Sequence, residues 1–358
     1  MTARQAPTHR PTTEDAHTAS AGAVSRRPVP GRAVPHRPGR RSLAAAAALL
    51  VLALLAACSG SAAPEPTSAG VTWTSGANGN YPPDVNAWGT FTGRKPGLAI
   101  VFTERRNWAS MVSADWPASA FTKDRFPGAV SIAQPLFPPD GNEATCASGA
   151  YDANWRTFGQ TLTRYGRADA YIRLGWEFNG GYMYWHVRDP EAWKACFRRT
   201  VTALRSTAPA VKIDWNMNAH NDKLPGSGRD VWDAYPGDQY VDVVSIDSYD
   251  HYPASVSETS WNRQCHQRSG LCTVIQFARE HGKKFAVPEW GLVRSAGGGG
   301  DNPYYIGKMY ETFVANAKNL AYEAYYNNAE PDNVRSSLYK PDLNPKSSKR
   351  YLTLFGSD

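Results

Sequence analysis

The chain has 358 residues and a formal charge of +7, but its charge is unevenly placed. Residues 1–57 hold eight Arg against two acids, Glu14 and Asp15, and so carry +6 of the total. The remainder is nearly neutral, so the basic charge gives no support for the basic folded surface that a nucleic-acid partner needs.

Residues 1–39 are rich in Pro, Ala, Thr and Arg and nearly devoid of large apolar side chains. Such a stretch buries too little surface to offset its ordering entropy, so disorder is expected there. Leu43 to Ala57 is a continuous apolar run behind Arg40 and Arg41. It is short of the roughly 20 apolar residues needed to span a bilayer. A basic flank, a short apolar core and small residues before a cut point describe an export signal. The ending Leu55-Ala56-Ala57-Cys58 resembles a bacterial lipobox, in which the cysteine becomes the first residue and carries lipid. An ordinary signal peptide or an uncut anchor is the alternative. Residues 1–57 are thus read as extension and signal, and 58–70 as lipidated Cys58 with a polar tether. The expected location is the outer face of the bacterial cell membrane, held by the N-terminal lipid, with release as a further option.

Cys146, Cys196, Cys265 and Cys272 form an even set, and disulfides persist in exported proteins. Cys265 and Cys272 are near in sequence and close one loop, which leaves Cys146 with Cys196. Zinc is the rival reading, but no C-x-x-C pair or His at ligand spacing supports it. No metal or organic cofactor is expected.

From Val71 to the end the composition does not break, so 71–358 is read as one domain. Short apolar runs recur along it. They are Val71–Ser75 (the weakest), 97–102, 129–133, 170–176, 212–215, 241–246, 284–288 and 320–326. Between them lie helical patterns. In 152–165, Trp155, Phe158, Leu162 and Tyr165 fall at helical spacing. Asp189-Pro190-Glu191 is a helix start with Asp as N-cap, and 273–281 and 303–316 are further helices. Eight strand–helix repeats over this length predict an α/β fold, a (β/α)8 TIM barrel. An open doubly wound sheet is the alternative, but no G-x-G-x-x-G follows the first strands.

In such barrels functional groups gather at the C-terminal strand ends. Two of those ends carry a glutamate beside tryptophan: Glu177 in Trp176-Glu177-Phe178-Asn179, and Glu289 in Pro288-Glu289-Trp290-Gly291. Charges among aromatics are costly unless paired or used. Hydrolysis of a sugar acetal needs a proton donor and a second carboxylate. Strands four and seven face each other across the mouth, so Glu177 and Glu289 can converge there.

The stretches R-L-G-W-E-F-N-G (173–180), Y-P-G-D-Q-Y-V-D (235–242), D-S-Y (247–249) and P-E-W-G (288–291) resemble glycoside hydrolase family 26. That family lies in the clan of (β/α)8 glycosidases with the acid/base after strand four and the nucleophile after strand seven, and it is best known for β-mannanases. The resemblance implies a retaining endo-glycosidase acting on a β-linked polysaccharide, most readily a β-1,4-mannan. It makes Glu177 the acid/base, Glu289 the nucleophile, Arg173 a residue that keeps the nucleophile ionised and Tyr249 its hydrogen-bond donor. It makes Tyr325 or Tyr326 the platform for the sugar at the cleavage point. Trp176 stands where many members have His, and tyrosines stand where many have Trp on the last strand.

Asn179, Tyr182, Trp185 and Asn218 join Trp176 and Trp290 as candidate substrate contacts. Asn216 and Asn218 bond either substrate hydroxyls or loop backbone, while Asp247 reads as a structural hydrogen-bond partner. A monomer is expected. Alternatives are the same chemistry on β-1,3-xylan, mixed-linkage glucan or an envelope glycan, and a non-catalytic carbohydrate-binding lipoprotein.

Overall fold

The computed structural model describes residues 70–357. The extension, the signal run, Cys58 and the tether up to Ala69 lie outside the described residues.

Eight parallel strands close into a barrel in sequence order, with the last pairing the first. They are β1 (Ser75–Asn78), β2 (Leu98–Phe102), β3 (Ala129–Gln134), β4 (Tyr171–Leu174), β5 (Lys212–Asn218), β6 (Val243–Tyr249), β7 (Lys284–Gly291) and β8 (Leu320–Tyr325). The helices are α1 (Pro82–Thr92), α2 (Glu143–Ala147), α3 (Asp152–Arg164), α4 (Pro190–Arg205), α5 (Glu258–Cys265), α6 (Leu271–Glu280), α7 (Pro303–Asn316) and α8 (Pro345–Phe355). The expected TIM barrel is therefore the observed fold, and the doubly wound sheet is excluded.

The first strand lies later than expected. Trp73 is buried instead against Tyr310, Phe313 and Phe355 of α7 and α8. The strand that pairs is S-G-A-N, which carries little apolar signal. Its glycine is required: a Cβ at Gly76 would sit 2.0 Å from the Leu98 carbonyl oxygen.

Helix starts follow their local chemistry. The Asp189 carboxylate accepts from the amides of Glu191 and Ala192, at 2.9 and 3.3 Å, ahead of Pro190 in the first turn of α4. This caps donors that a helix start leaves unpaired. Trp155, Phe158 and Leu162 are the buried face of α3, as their spacing predicts, whereas Tyr165 lies just past its end and is only half-buried.

Both disulfides pair as read. Cys146–Cys196 ties α2 to α4 across 50 residues, and Cys265–Cys272 ties α5 to α6 across seven. By loop-closure entropy the longer link constrains the unfolded chain more, about 4 against about 2.5 kcal/mol.

The barrel interior is layered by the period of two along each strand. Leu98, Ile100, Ala286, Tyr322 and Ala324 fill an apolar layer. Asp214 is buried beside it, accepting hydrogen bonds from Ser245 and Tyr322. Above on β5 come Asn216 and Asn218, and above on β6 come Asp247 and Tyr249. The register aligns Arg173 with Asp214, Asn216 with Ser245 and Asn218 with Asp247. Polar groups thus climb the interior towards the mouth.

Candidate active site

Glu289 owes its direction to an irregularity in β7. The register with β6 passes from Ser245–Ala286 to Ser248–Trp290, and that with β8 from Val287–Glu323 to Trp290–Tyr325. One extra residue therefore sits in β7 between Val287 and Trp290. Pro288, which has no N–H to give the ladder, lies in that interval. Ala286 points into the barrel. Regular alternation would send Glu289 outward and Trp290 inward. The extra residue reverses both.

The inward carboxylate of Glu289 accepts from Arg173 Nη2 at 2.6 Å and from the Tyr249 hydroxyl at 3.0 Å. The same Arg173 nitrogen pairs with Asp247 and donates to Asn216 Oδ1 at 3.1 Å. Arg173 and Asp247 are fully buried. Burial alone disfavours the guanidinium charge, but Asp247 and Glu289 outweigh it and hold the proton on. Burial pushes the Asp247 carboxyl upward, Arg173 opposes that, and the charge on Glu289 adds to it.

Glu177 is held differently. It follows β4 in a turn where Gly175 and Glu177 both adopt positive φ, +60° and +51°. Such a conformation costs a non-glycine residue of order 1 kcal/mol or more and persists only where neighbours hold it. The Glu177 amide donates to Asn216, to its backbone oxygen at 3.0 Å and its side-chain Oδ1 at 3.2 Å. The Glu177 carboxylate accepts from Asn218 Nδ2 and from the Tyr182 hydroxyl, the latter at 2.8 Å. Its partners are neutral. Burial, then the nearby Glu289 charge, raise the Glu177 pKa to about 7, with the Asn218 and Tyr182 bonds pulling the other way.

The loop carrying Tyr182 folds back because Trp185 Nε1 donates to the Trp176 carbonyl at 2.8 Å. A Cβ at Gly180 would lie 2.7 Å from the Tyr182 ring, so the close approach requires glycine. Tyr182 itself is 64% exposed and roofs Glu177.

Asn216, which the sequence left undecided between substrate and backbone, belongs to the frame of the site. Its Nδ2 donates to Ser245 Oγ at 2.9 Å and Asp247 Oδ1 at 3.1 Å. With its bonds to Glu177 and Arg173 it joins the supports of both acids. Period-two spacing inward of Asn218 was the signal for it. Asp247 has the structural role read for it, as an ion-pair partner of Arg173.

Several expected sugar contacts are corrected. Trp185, Trp290 and Tyr325 are fully buried, and Trp176 nearly so. Trp290 packs on Phe313, Tyr351 and Phe355 behind the barrel wall and donates to Glu323 at 2.6 Å. Tyr325 stacks on Trp88 at 5.4 Å and gives its hydroxyl to the Ser336 carbonyl. Trp176 lies between Trp185, Phe102 and the guanidinium of Arg105. None of them keeps a free ring face for a pyranose. Asn179 spends its amide on Asn218 and Asn221 carbonyls and accepts from the Asn218 amide, so it shapes the loop instead.

Of the two tyrosines on the last strand, Tyr326 is the one at the cleft. It lies edge-on to Tyr249 and Phe102, at 6.0 and 6.2 Å, and lines a groove of about 570 Å³ with Asn78, Trp88, Asn327 and Glu330. That groove opens over the ends of β1, β2 and β8. Phe102, unremarked in the sequence, lines the same groove and lies under the Arg173 guanidinium at 5.8 Å. Among the described residues no group of three or more His, Cys, Asp or Glu is placed to hold a metal ion.

The molecule is thus a (β/α)8 barrel with two differently held carboxylates, one after β4 and one on β7. Residues 167–289, from just before β4 through Glu289, match the family described as glycosyl hydrolase family 26. Over 118 residues it is 31% identical to Endoglucanase H of Acetivibrio thermocellus, covering 31% of this chain and 13% of that protein. Over 229 residues it is 24% identical to a mannan endo-1,4-beta-mannosidase of Bifidobacterium adolescentis, covering 59% and 21%. The chain therefore spans about a fifth or less of the length of these curated relatives. Among solved structures, a Cellulomonas fimi endo-beta-1,4-mannanase double mutant is similar, with a TM-score of 0.54 at 15% identity over 74% of this chain and 65% of that one. The catalytic domain of a Bacillus sp. JAMB-750 GH26 endo-beta-1,4-mannanase gives 0.52 at 16%, over 74% and 78%. Likeness at that identity speaks for the shared barrel alone.

Proposed function

We propose that the protein is a retaining endo-glycosidase that cleaves a β-linked polysaccharide, a β-1,4-mannan first among them. The observation that carries this reading is the unlike pair at the mouth. Glu177 has neutral donors and a pKa near 7, while Glu289 has Arg173 and Tyr249. A proton donor and a carboxylate nucleophile are the two parts that such hydrolysis needs. Glu177 gives its proton to the glycosidic oxygen as Glu289 attacks the anomeric carbon, which breaks the C–O bond and forms a glycosyl ester. Glu177, now a carboxylate, takes a proton from water, whose oxygen displaces Glu289 and restores both groups.

The mannan assignment draws on the Bifidobacterium relative, named a mannan endo-1,4-beta-mannosidase. A β-glucan is the second reading, favoured by the match to a protein named Endoglucanase H. Panels of mannans, xylans and glucans, read for released reducing ends, test both, with Glu177→Ala and Glu289→Ala beside the wild type. Turnover of a polymer that both substitutions abolish supports the reading. Binding without turnover moves it to a non-catalytic carbohydrate-binding protein. Retention requires carboxyl groups about 5–5.5 Å apart, against about 6.5–9.5 Å for inversion. Proton NMR of the first-formed anomer decides between them.

Export and lipid anchoring are part of the same proposal. The Leu55-Ala56-Ala57-Cys58 ending and two disulfides support a route out of the reducing cytosol. Incorporation of labelled fatty acid that Cys58→Ser abolishes is the expected result. Unchanged labelling of that variant rejects Cys58 as the anchor.

A further inference from the structure

A second hollow, of about 700 Å³, adjoins the groove at the barrel mouth. It lies over the first turn of α1 and the segment 116–125, and Pro83 lines both spaces. Its apolar surface comes from Tyr81, Pro82 and Trp116, with Asn86, Ser119 and Arg125 around them. Tyr81 is 56% exposed, one of few large hydrophobic side chains so open among the described residues.

The turn that carries Tyr81 and the indole of Trp116 are held in place. The Asp84 carboxylate accepts from the amides of Asn80 and Tyr81, at 3.0 and 2.9 Å, which pins the turn that carries Tyr81. Trp116 Nε1 donates to the Asn80 carbonyl at 3.1 Å, fixing the half-buried indole to that turn. Arg125 Nη1 reaches the Ser119 carbonyl at 3.3 Å, and Arg125 and Asn86 are both exposed. Apolar rings with polar donors at the edge match a pyranose, which offers a C–H face and a girdle of hydroxyls. The size falls within the usual range of about 300–1,000 Å³ for small-ligand sites, whereas a stable protein partner needs a patch of about 800 Å².

We infer that this hollow is a second glycan-binding shelf, which holds a stretch of the neutral β-linked polysaccharide where it runs out of the mouth groove past Pro83. The inference rests on the glycosidase reading for the identity of the polymer. Its own evidence is that Pro83 lines both spaces and that apolar rings stand beside polar donors in the second. The shelf is expected to act on long chains more than on short oligosaccharides.

The test uses the full chain with Tyr81→Ala and Tyr81→Phe. Linear β-1,4-mannan is compared with mannotetraose, with a β-glucan and cellotetraose as the parallel arm. Loss of one stacking ring is expected to lower kcat/KM on the polymer relative to the tetraose by about three- to tenfold, through KM, and Tyr81→Phe restores the ratio. An unchanged ratio, or equal losses on both substrates, overturns the shelf. Affinity electrophoresis of Glu289→Ala through gels containing each polymer reads the shelf without turnover. Retardation that Tyr81→Ala relieves supports it even if the wild type cleaves nothing, in which case only the glycosidase reading falls. Retardation that Tyr81→Ala leaves intact overturns the shelf while leaving the acid pair untouched.

Discussion

The two carboxylates face one cleft from opposite walls, yet their surroundings have little in common. Glu289 projects from a strand and meets a buried cation that it shares with Asp247. Glu177 projects from a tight turn and meets only an amide and a phenol. One environment supplies positive charge. The other supplies burial without charge and favours a carboxylic acid. On the proposed reading, what surrounds two identical side chains divides acid from nucleophile. Asn216 touches both supports, so the difference is maintained within one hydrogen-bonded frame.

The sharpest way to break this comparison is to remove each acid in turn. Glu289→Ala is expected to lower turnover of the cleaved polysaccharide by on the order of 10⁴-fold or more, since nothing else there can form the ester. Glu177→Ala is expected to cost about 10²–10⁴-fold on the polymer, the worth of a proton donor. On an aryl glycoside with an acidic phenol as leaving group, the first step needs no donor. There kcat/KM, which reports the first step, should show a far smaller loss for Glu177→Ala, while kcat stays low because the base of the second step is missing, and Glu289→Ala should show no relief. Equal relief in both variants would erase the division of roles.

Arg173→Met tests the cationic side. It leaves Asp247 and Glu289 buried without their counterion, so a loss of about 3–5 kcal/mol in unfolding free energy is expected from chemical denaturation. Glu177→Gln tests the neutral side with the opposite sign. A carboxyl whose folded pKa is raised from 4.5 to about 7 binds its proton more tightly in the folded state. Its ionisation therefore destabilises the fold as pH rises from about 4.5 to about 7, by about 3 kcal/mol in all. Relative to wild type, Glu177→Gln should gain stability across that window and show no gain below it. A gain that does not change between pH 4 and pH 8 would mean that Glu177 is not the titrating group.

Much of this was legible in the sequence, and what was not has identifiable causes. The apolar runs located seven of the eight strands. The eighth, S-G-A-N, is built of small residues because Gly76 packs on the neighbouring backbone, so it carries no hydrophobic signal. Strands β5 and β6 run on to Asn218 and Tyr249, past the apolar stretches read as 212–215 and 241–246. The runs stop early because Asn216, Asn218, Asp247 and Tyr249 interrupt them, and these are the residues that frame the acids. The motifs located Glu177, Glu289, Arg173 and Tyr249. Aromaticity near the acids did not separate cleft from core: Trp290 and Tyr325 face the helices, and only the β7 irregularity at Pro288 decides which way Glu289 and Trp290 turn. Tyr182 was placed at the substrate, and its bond to Glu177 depends on a loop fold that local sequence does not specify.

That bond gives the smallest and most specific prediction. The Tyr182 hydroxyl donates to a Glu177 oxygen at 2.8 Å and thereby favours the ionised form, against burial and the Glu289 charge. Tyr182→Phe keeps the ring over the cleft and removes only the donor. With that support gone, Glu177 holds its proton to higher pH, and the alkaline limb of kcat/KM, set in the wild type near pH 7, should move upward. A move of about half a pH unit raises the protonated fraction at pH 8 about 2.5-fold. The variant should therefore be relatively more active at pH 8 than at pH 6 when each rate is divided by that of the wild type. A downward move of the alkaline limb would mean that the hydroxyl holds the proton on Glu177, which would make Tyr182 an acceptor in the resting enzyme and reverse its place in the comparison of the two walls.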